Sequence, residues 1–268
     1  MKNILSKTII DNQTLILGDC LEVIKTLEDK SLDLVITSPP YNIGINYNEY
    51  KDTKSLNEYL NWLNKIFIEI KRVLKDNGSI FLNVGSTNAN PWVSIDVLSS
   101  LRNLFILQNN IKWIKSISVD KDNIFGHFNP INSKRYLNNT YEDIFHLTKT
   151  GDVELDRKAI GVPYKYKVNL KGTTITDDMR CRGNTWFIPY KTIHSKSQRG
   201  DHPAVFPEEV VRRCIKLHGY NKDTTVLEPF LGSGTTLLVT RELKCKGTGI
   251  EIDKKYFDYA VSKITNTI

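Results

Sequence analysis

The 268-residue chain has only four cysteines, Cys20, Cys181, Cys214 and Cys245, and no two of them form a Cys-x-x-Cys pair. That spacing offers neither a zinc motif nor a disulfide framework, and burial as structural thiols is the expectation for all four. No run of 18 or more apolar residues occurs, so no transmembrane helix is expected. Met1-Lys2-Asn3-Ile4-Leu5-Ser6-Lys7 holds no apolar h-region, so no signal peptide is expected, and the expected location is cytoplasmic. His127, His146, His194 and His218 show no metal-ligand spacing and read as structural or surface groups; no metal is expected. Internal repeats and low-complexity tracts are absent too. A composition of 40% hydrophobic and 25% charged residues is that of an ordinary globular protein, and the length suits one domain, with or without an insertion.

What the chain does have is uneven charge. The net charge is +7. Residues 1–106 carry 11 basic and 12 acidic side chains, residues 107–200 carry 16 and 9, and residues 201–268 carry 10 and 9. The excess therefore lies in the middle third, as expected for a polyanion partner with nucleic acid first; a solvated lysine surface is the plainer alternative.

Both ends of the chain read as α/β. Thr14-Leu15-Ile16-Leu17-Gly18-Asp19 predicts a strand entering a turn, and Cys20 to Leu27 a helix. Leu32 to Thr37 predicts a strand that stops at Ser38-Pro39-Pro40-Tyr41, because consecutive prolines cannot donate to a ladder. Ser55 to Leu74 is apolar at helical spacing, with Ser55 and Glu58 set for a capping box. Asp76-Asn77-Gly78 predicts a turn into strand Ser79–Val84. From about Ser116 to Gly200 the periodicity is poor and aromatics interleave with basic residues, with one strand candidate, Asp143 to Thr148. Order returns with a helix from Pro207 to Leu217 (Pro207 near N1), ended by Gly219. A strand at Thr224–Leu227, a helix at Leu237–Leu243, a strand at Gly247–Asp253 and a helix at Tyr256–Ile264 follow.

Two segments carry chemistry. Phe230-Leu231-Gly232-Ser233-Gly234-Thr235 follows a strand and opens a helix, where a Rossmann-type sheet binds a nucleotide-like ligand. Glu251, about twenty residues on, suits a ribose diol. By itself the glycine run equally fits a tight turn. Ser38-Pro39-Pro40-Tyr41 is a stiff loop at a strand end. The Ser38 hydroxyl and the Pro39 carbonyl can accept hydrogen bonds from an exocyclic amine, and the Tyr41 ring can stack a planar base. As a bare Pro-Pro dipeptide it also fits a simple strand-ending turn.

Together, Thr37-Ser38-Pro39-Pro40-Tyr41-Asn42 and the later Glu228-Pro229-Phe230-Leu231-Gly232-Ser233-Gly234-Thr235-Thr236 resemble the amino-group DNA methyltransferases. The order resembles their β class: catalytic loop, then basic variable region, then methyl-donor loop. The resemblance spans roughly Leu15 to Ile264. It implies one Rossmann-like α/β domain over 1–268, circularly permuted, with an inserted target-recognition region near 117–200.

It also implies S-adenosylmethionine as cofactor and duplex DNA as substrate, with base flipping and direct attack of the amine on the methyl group. Ser38, Pro39, Pro40 and Tyr41 match the catalytic motif. Phe230, Gly232, Ser233, Gly234 and Thr235 match the cofactor loop, and Glu251 the ribose-binding acid. Gly18-Asp19, with Cys20 beside it, resembles the motif at the adenine end. The segment from His202 to Phe206 resembles the one flanking the methionine end. Glu228 stands where the family usually has Asp, and would face the cofactor's ammonium group.

A serine before Pro-Pro-Tyr is more typical of cytosine-N4 enzymes, and an aspartate of adenine-N6 enzymes. The expectation is therefore cytosine N4, with adenine N6 as the alternative, and a non-catalytic DNA-binding protein or an RNA methyltransferase as more distant ones. Lys134, Arg135, Arg180, Arg182, Lys191, Lys196 and Arg199 are the candidate DNA contacts, with Arg180-Cys181-Arg182-Gly183-Asn184 as the preferred cluster. A restriction endonuclease system and a homodimer stay open; no membrane partner is expected.

Overall fold

The computed structural model describes residues 4–42, 54–118, 121–122, 124–126, 133–167, 174, 177–189 and 207–267. Strand β1 (Ile4–Ile10) pairs antiparallel with β2 (Gln13–Gly18). Asp19 then caps helix α1 (Cys20–Ile24), its Oδ1 accepting from the backbone N–H of Leu21 and Glu22 at 2.9 and 3.2 Å. Next come β3 (Leu32–Thr37), α2 (Leu56–Val73), β4 (Leu74–Val84), α3 (Val93–Ser100) and β5 (Ile106–Ile114). The middle adds a ribbon of β6 (Ile117–Ser118) and β7 (Ile124–Phe125), then β8 (Tyr141–Thr148). A second ribbon of β9 (Val162–Pro163) and β10 (Met179–Arg180) precedes β11 (Thr185–Phe187). The chain ends with α4 (Glu208–His218), β12 (Thr225–Glu228), α5 (Thr235–Glu242), β13 (Lys246–Glu251) and α6 (Lys254–Asn266).

Nine strands form one sheet in the order β1-β2-β13-β12-β3-β4-β8-β5-β11. The five neighbours β2, β13, β12, β3 and β4 are parallel, β8 runs antiparallel between β4 and β5, and β11 is parallel to β5. β12 enters the chain late yet lies in the middle of the sheet beside β3, which enters early; this is the permuted order. Strand alternation feeds both faces. Leu32 and Val35 of β3 join α1, α2 and α3 in one core, while Leu34 and Ile36 join α4 in a second. Leu15 and Leu17 of β2 pack against α5 and α6 in a third. The result is an α/β sheet covered by helices on both faces, the architecture of S-adenosylmethionine-dependent methyltransferases.

Most terminal elements form where the sequence places them. Ser55 caps α2 in a full capping box with Glu58. Gly219 closes α4 at φ 84°. Three expectations change. Pro207 is the N-cap of α4 rather than its first residue. Asp76-Asn77-Gly78 is a bulge within β4 rather than a turn before it: Leu32 faces Leu74 and Leu34 faces Ser79, so Lys75 to Gly78 loop out between them. The stretch 117–200 is not wholly outside the sheet. It gives β8 and β11 to the sheet, so the excursions come in two lengths, before β8 and after it.

Candidate active site

The carboxyl ends of five adjacent parallel strands gather the motifs on one edge. β2 ends at Gly18-Asp19, β13 at Glu251, β12 at Glu228, β3 at Thr37-Ser38 and β4 at Asn83-Val84. From β12 the chain crosses to β13 on one side, and from β3 to β4 on the other, so the β12–β3 junction is the topological switch point where such sheets bind ligands.

On the β3 side, Ser38 and Tyr41 are drawn into a polar network. Ser38 Oγ lies 2.8 Å from Tyr41 Oη, and Tyr41 Oη donates to Glu142 Oε2 at 3.1 Å. Asn83 Nδ2 donates to both Tyr41 Oη and Glu142 Oε2 at 2.8 Å, and Lys115 Nζ donates to Glu142 Oε1 at 3.0 Å. Gly85 makes this convergence sterically feasible: a Cβ there would stand 3.0 Å from both the Tyr41 ring and the Glu142 carboxyl carbon. Pro39 is buried and Pro40 half-buried, while Asn42, at φ 55°, brackets the Lys54 backbone with its amide.

The β12 side carries buried carboxylates. Glu228 is 1% exposed. Its Oε1 accepts from Thr37 Oγ1 at 2.7 Å and from the Phe230 N–H at 3.1 Å, and its Oε2 accepts from Thr236 Oγ1 at 2.9 Å. Glu228 therefore ties the residue before the Ser-Pro-Pro loop to the glycine loop and the start of α5. Burial pushes its carboxyl up to about 8, against the pull of those three donors. Glu251 accepts from the N–H of Gly232 at 2.7 Å and of Asp253 at 2.9 Å, and burial holds it above the ordinary carboxylate range. Gly232 and Gly234 sit at φ 51° and 80°. At Gly234 a Cβ would come within 3.0 Å of Ala260 Cβ, so that glycine serves the packing of α6 as well as the turn.

Phe230 faces Trp62 of α2, ring centroids 5.6 Å apart and tilted 49°. Sequence reasoning missed Trp62, because an aromatic three residues from Tyr59 on a helix reads as core. It also missed Glu142, Asn83 and Lys115; Asn83 was the one to find, a polar residue inside an otherwise apolar strand end. Asp19 is occupied as the α1 cap, and Cys20 is 8% exposed with burial raising its thiol. Ser233 Oγ lies 3.2 Å from Thr235 Oγ1, both buried.

The basic candidates separate. Lys134, Arg135 and Arg180 are exposed, Arg135 lying over the Tyr136 ring at 4.8 Å. Arg182 turns inward instead: Nε donates to the Ile160 carbonyl at 2.8 Å, and it lines a cleft of about 120 Å³ with Arg212, Arg213, Lys216 and Glu209. Cys181 is exposed, contrary to the expectation of burial, while Cys20, Cys214 and Cys245 are buried. Lys191, Lys196, Arg199, His202 and Phe206 lie outside the described residues. Among the described residues, no His/Cys/Asp/Glu cluster could hold a metal, and no helix is long and apolar enough to cross a membrane.

A Rossmann-like sheet with a proline-stiffened amine loop beside a glycine loop and buried acids defines a methyltransferase. The chain belongs to the N6/N4 DNA methyltransferase family: the family described as DNA methylase matches residues 32–262. The type II methyltransferase M.ScaI of Streptomyces caespitosus is 32% identical over 255 residues, covering 92% of this chain and 79% of that protein. The DNA adenine methyltransferase YhdJ of Escherichia coli (strain K12) is 28% identical over 262 residues, covering 94% and 82%. Among solved structures, the PvuII DNA methyltransferase (cytosine-N4-specific) superposes with a TM-score of 0.73 at 19% identity, covering 99% of this chain and 92% of that one. The DNA modification methylase TTHA0409 of Thermus thermophilus, complexed with S-adenosyl-L-methionine, gives 0.62 at 22% identity, covering 96% and 97%.

Proposed function

We propose that this DNA methyltransferase transfers a methyl group from S-adenosylmethionine to the N4 amine of cytosine in duplex DNA. The observation that carries the reading is Ser38: a neutral hydroxyl, rather than a carboxylate, stands before Pro39 and Pro40, one buried residue from Glu228 and the glycine loop. The cofactor fits the cradle chemically. Two glycines with positive φ let the backbone approach closely, Glu251 keeps acceptor capacity for a ribose diol, and Phe230 with Trp62 gives an aromatic wall for a purine. The acids at the strand ends suit a cationic ligand. When bound, S-adenosylmethionine supplies a sulfonium methyl, which passes to the amine nitrogen as the S–C bond breaks and sulfur keeps the electron pair, the methylated amine then releasing one proton to water.

The chain's residues act by holding. Ser38 Oγ and the Pro39 carbonyl accept the two amine hydrogens, so the nitrogen lone pair faces the methyl group. Tyr41 stacks the base turned out of the duplex, and Glu228, Phe230, Gly232, Ser233, Gly234, Thr235 and Glu251 form the cofactor side, with Asp19 and Cys20 at its adenine end. The excursions flanking β8, with the residues up to 206, grip the target, and Lys134, Arg135 and Arg180 are their described phosphate contacts. The type II names of the relatives support a partner restriction endonuclease. Adenine N6 is the second reading, favoured by the likeness to YhdJ. The test is to methylate plasmid DNA with labelled cofactor, digest it to nucleosides and weigh the product. N4-methylcytosine is expected. N6-methyladenine would overturn the base assignment, and no labelled nucleoside would overturn the reaction.

A further inference from the structure

The proton inventory behind Ser38 points to a role for a residue that no motif marks. Glu142 enters from β8, on the opposite side of β4 from β3, and its side chain is 10% exposed. Paired with Lys115, it is a carboxylate that can only accept. Tyr41 has one hydroxyl proton and two oxygen neighbours, Glu142 Oε2 at 3.1 Å and Ser38 Oγ at 2.8 Å. If that proton went to Ser38, the phenol and carboxylate oxygens would face each other lone pair to lone pair. With the proton on the Glu142 side, every contact is matched. Tyr41 donates to Glu142, and Ser38 must then donate to Tyr41.

Asn83 agrees with this arrangement. Its Nδ2 hydrogens are taken by Tyr41 and Glu142, and its buried Oδ1 is left without a partner among the described residues. Turning the amide over would satisfy Oδ1 no better, since it would set that oxygen against the carboxylate. The amide thus accepts one unmet acceptor, at a cost of about 1–3 kcal/mol, and that orientation gives Tyr41 Oη a second donor. Tyr41 Oη receives from Ser38 and Asn83 and gives to Glu142, so its capacity is full.

We propose that Glu142 is a positioning residue that fixes the direction of this chain of hydrogen bonds, so that Ser38 Oγ presents only lone pairs to the target amine. A lone serine hydroxyl can rotate and offer its proton, which would oppose an incoming N–H. Here the rotor is locked, and the negative charge of Glu142 is felt at Ser38 through the Tyr41 hydroxyl. A neutral residue in the motif thereby acquires the acceptor character that an aspartate would bring of itself. Tyr41 accordingly has two separate jobs, its ring against the base and its hydroxyl in the relay.

This inference rests on the reading of Ser38-Pro39-Pro40-Tyr41 as the amine-binding loop, and the experiment separates the two. Single-turnover methyl transfer is measured for wild type, Glu142→Gln, Tyr41→Phe, Ser38→Ala and the double variant Ser38→Ala/Glu142→Gln, with cofactor affinity as the control for folding. Tyr41→Phe keeps the ring and is the milder test should Glu142→Gln fold poorly. Glu142→Gln and Tyr41→Phe should each slow transfer roughly tenfold, and Ser38→Ala roughly a hundredfold. In the Ser38→Ala background Glu142→Gln should cost nothing more, because its effect passes through the missing hydroxyl. A second independent loss in the double variant, or a Glu142→Gln rate within about twofold of wild type, would overturn the role of Glu142. A Ser38→Ala rate equal to wild type would instead overturn the loop reading itself.

Discussion

Glu251 illustrates how one carboxylate can shape a loop and bind a ligand at once. One oxygen holds the Gly232 N–H at 2.7 Å, and the other holds the N–H of Asp253 at 2.9 Å. Both oxygens keep a lone pair, and two hydroxyls of a ribose are matched to two such acceptors. Glu251→Ala should therefore weaken S-adenosylmethionine binding by roughly 10- to 100-fold, as expected for a charged hydrogen-bonding group. Isothermal calorimetry reads this directly, and an unchanged dissociation constant would remove Glu251 from the cofactor site. Residues of this kind were legible in the sequence because their spacing is fixed locally: a strand, a glycine turn and the next strand bring Glu251 back to Gly232 within twenty residues. Glu142 was illegible for the opposite reason. It meets Tyr41 across 101 positions, through a sheet order in which β8 lies beside β4. No spacing rule could place it there.

At the level of elements, the same contrast holds. β3 and α2 were legible from alternation, prolines and a capping box, which act within a few residues. β5 and β11 were not, since their pairing with each other and with β8 depends on distant partners. Their faces also show: Ile106 and Leu107 at the start of β5 are exposed, which blurs the alternation. α5 is the element whose start is most tightly prescribed. Gly234 caps it in the left-handed region at φ 80°, with Ala260 of α6 directly against the missing side chain. Gly234→Ala must both strain the backbone and push α6 away, and should cost about 1–3 kcal/mol of unfolding free energy. Urea denaturation measures it. A loss below about 0.5 kcal/mol would mean that the loop relaxes without disturbing α6. Ser55→Ala, by contrast, removes one cap on an exposed helix end and should cost about 1 kcal/mol with no effect on cofactor binding. Denaturation and calorimetry together separate these outcomes.

For the whole molecule, two charge distributions matter, one on the surface and one inside. The surface excess sits in the middle third of the chain, where Arg180 is exposed while Arg182 is tied to the Ile160 carbonyl. Arg180→Gln should therefore reduce the slope of log affinity for DNA against log salt by about 0.9, the value for one phosphate contact. The interior charges set the pH response, and they oppose each other. His146 is fully buried beside Ser79 and Phe81, and burial lowers it from 6.5 to about 4. Between those values the unfolded chain binds the extra proton, so this residue makes stability rise with pH and lowers it as pH falls. Glu228 is raised to about 8, so between its ordinary 4.5 and that value the folded chain binds the extra proton. It favours folding at low pH, and that contribution is lost as pH rises. From 4.5 to 6.5 the two effects cancel to first order. Above 6.5 His146 has no further effect, and Glu228, joined by the likewise raised Glu251, leaves stability falling toward pH 8. The decline from Glu228 should be roughly 2 kcal/mol over that interval. Glu228→Gln should flatten it, since a Gln amide at the Oε2 position can donate to Thr236 while the remaining oxygen still accepts from Thr37 and Phe230. Urea midpoints of both proteins at half-unit steps from pH 6 to 8.5 test this. Parallel curves would show that the buried carboxyl at the β12–β3 junction is already ionised at pH 6.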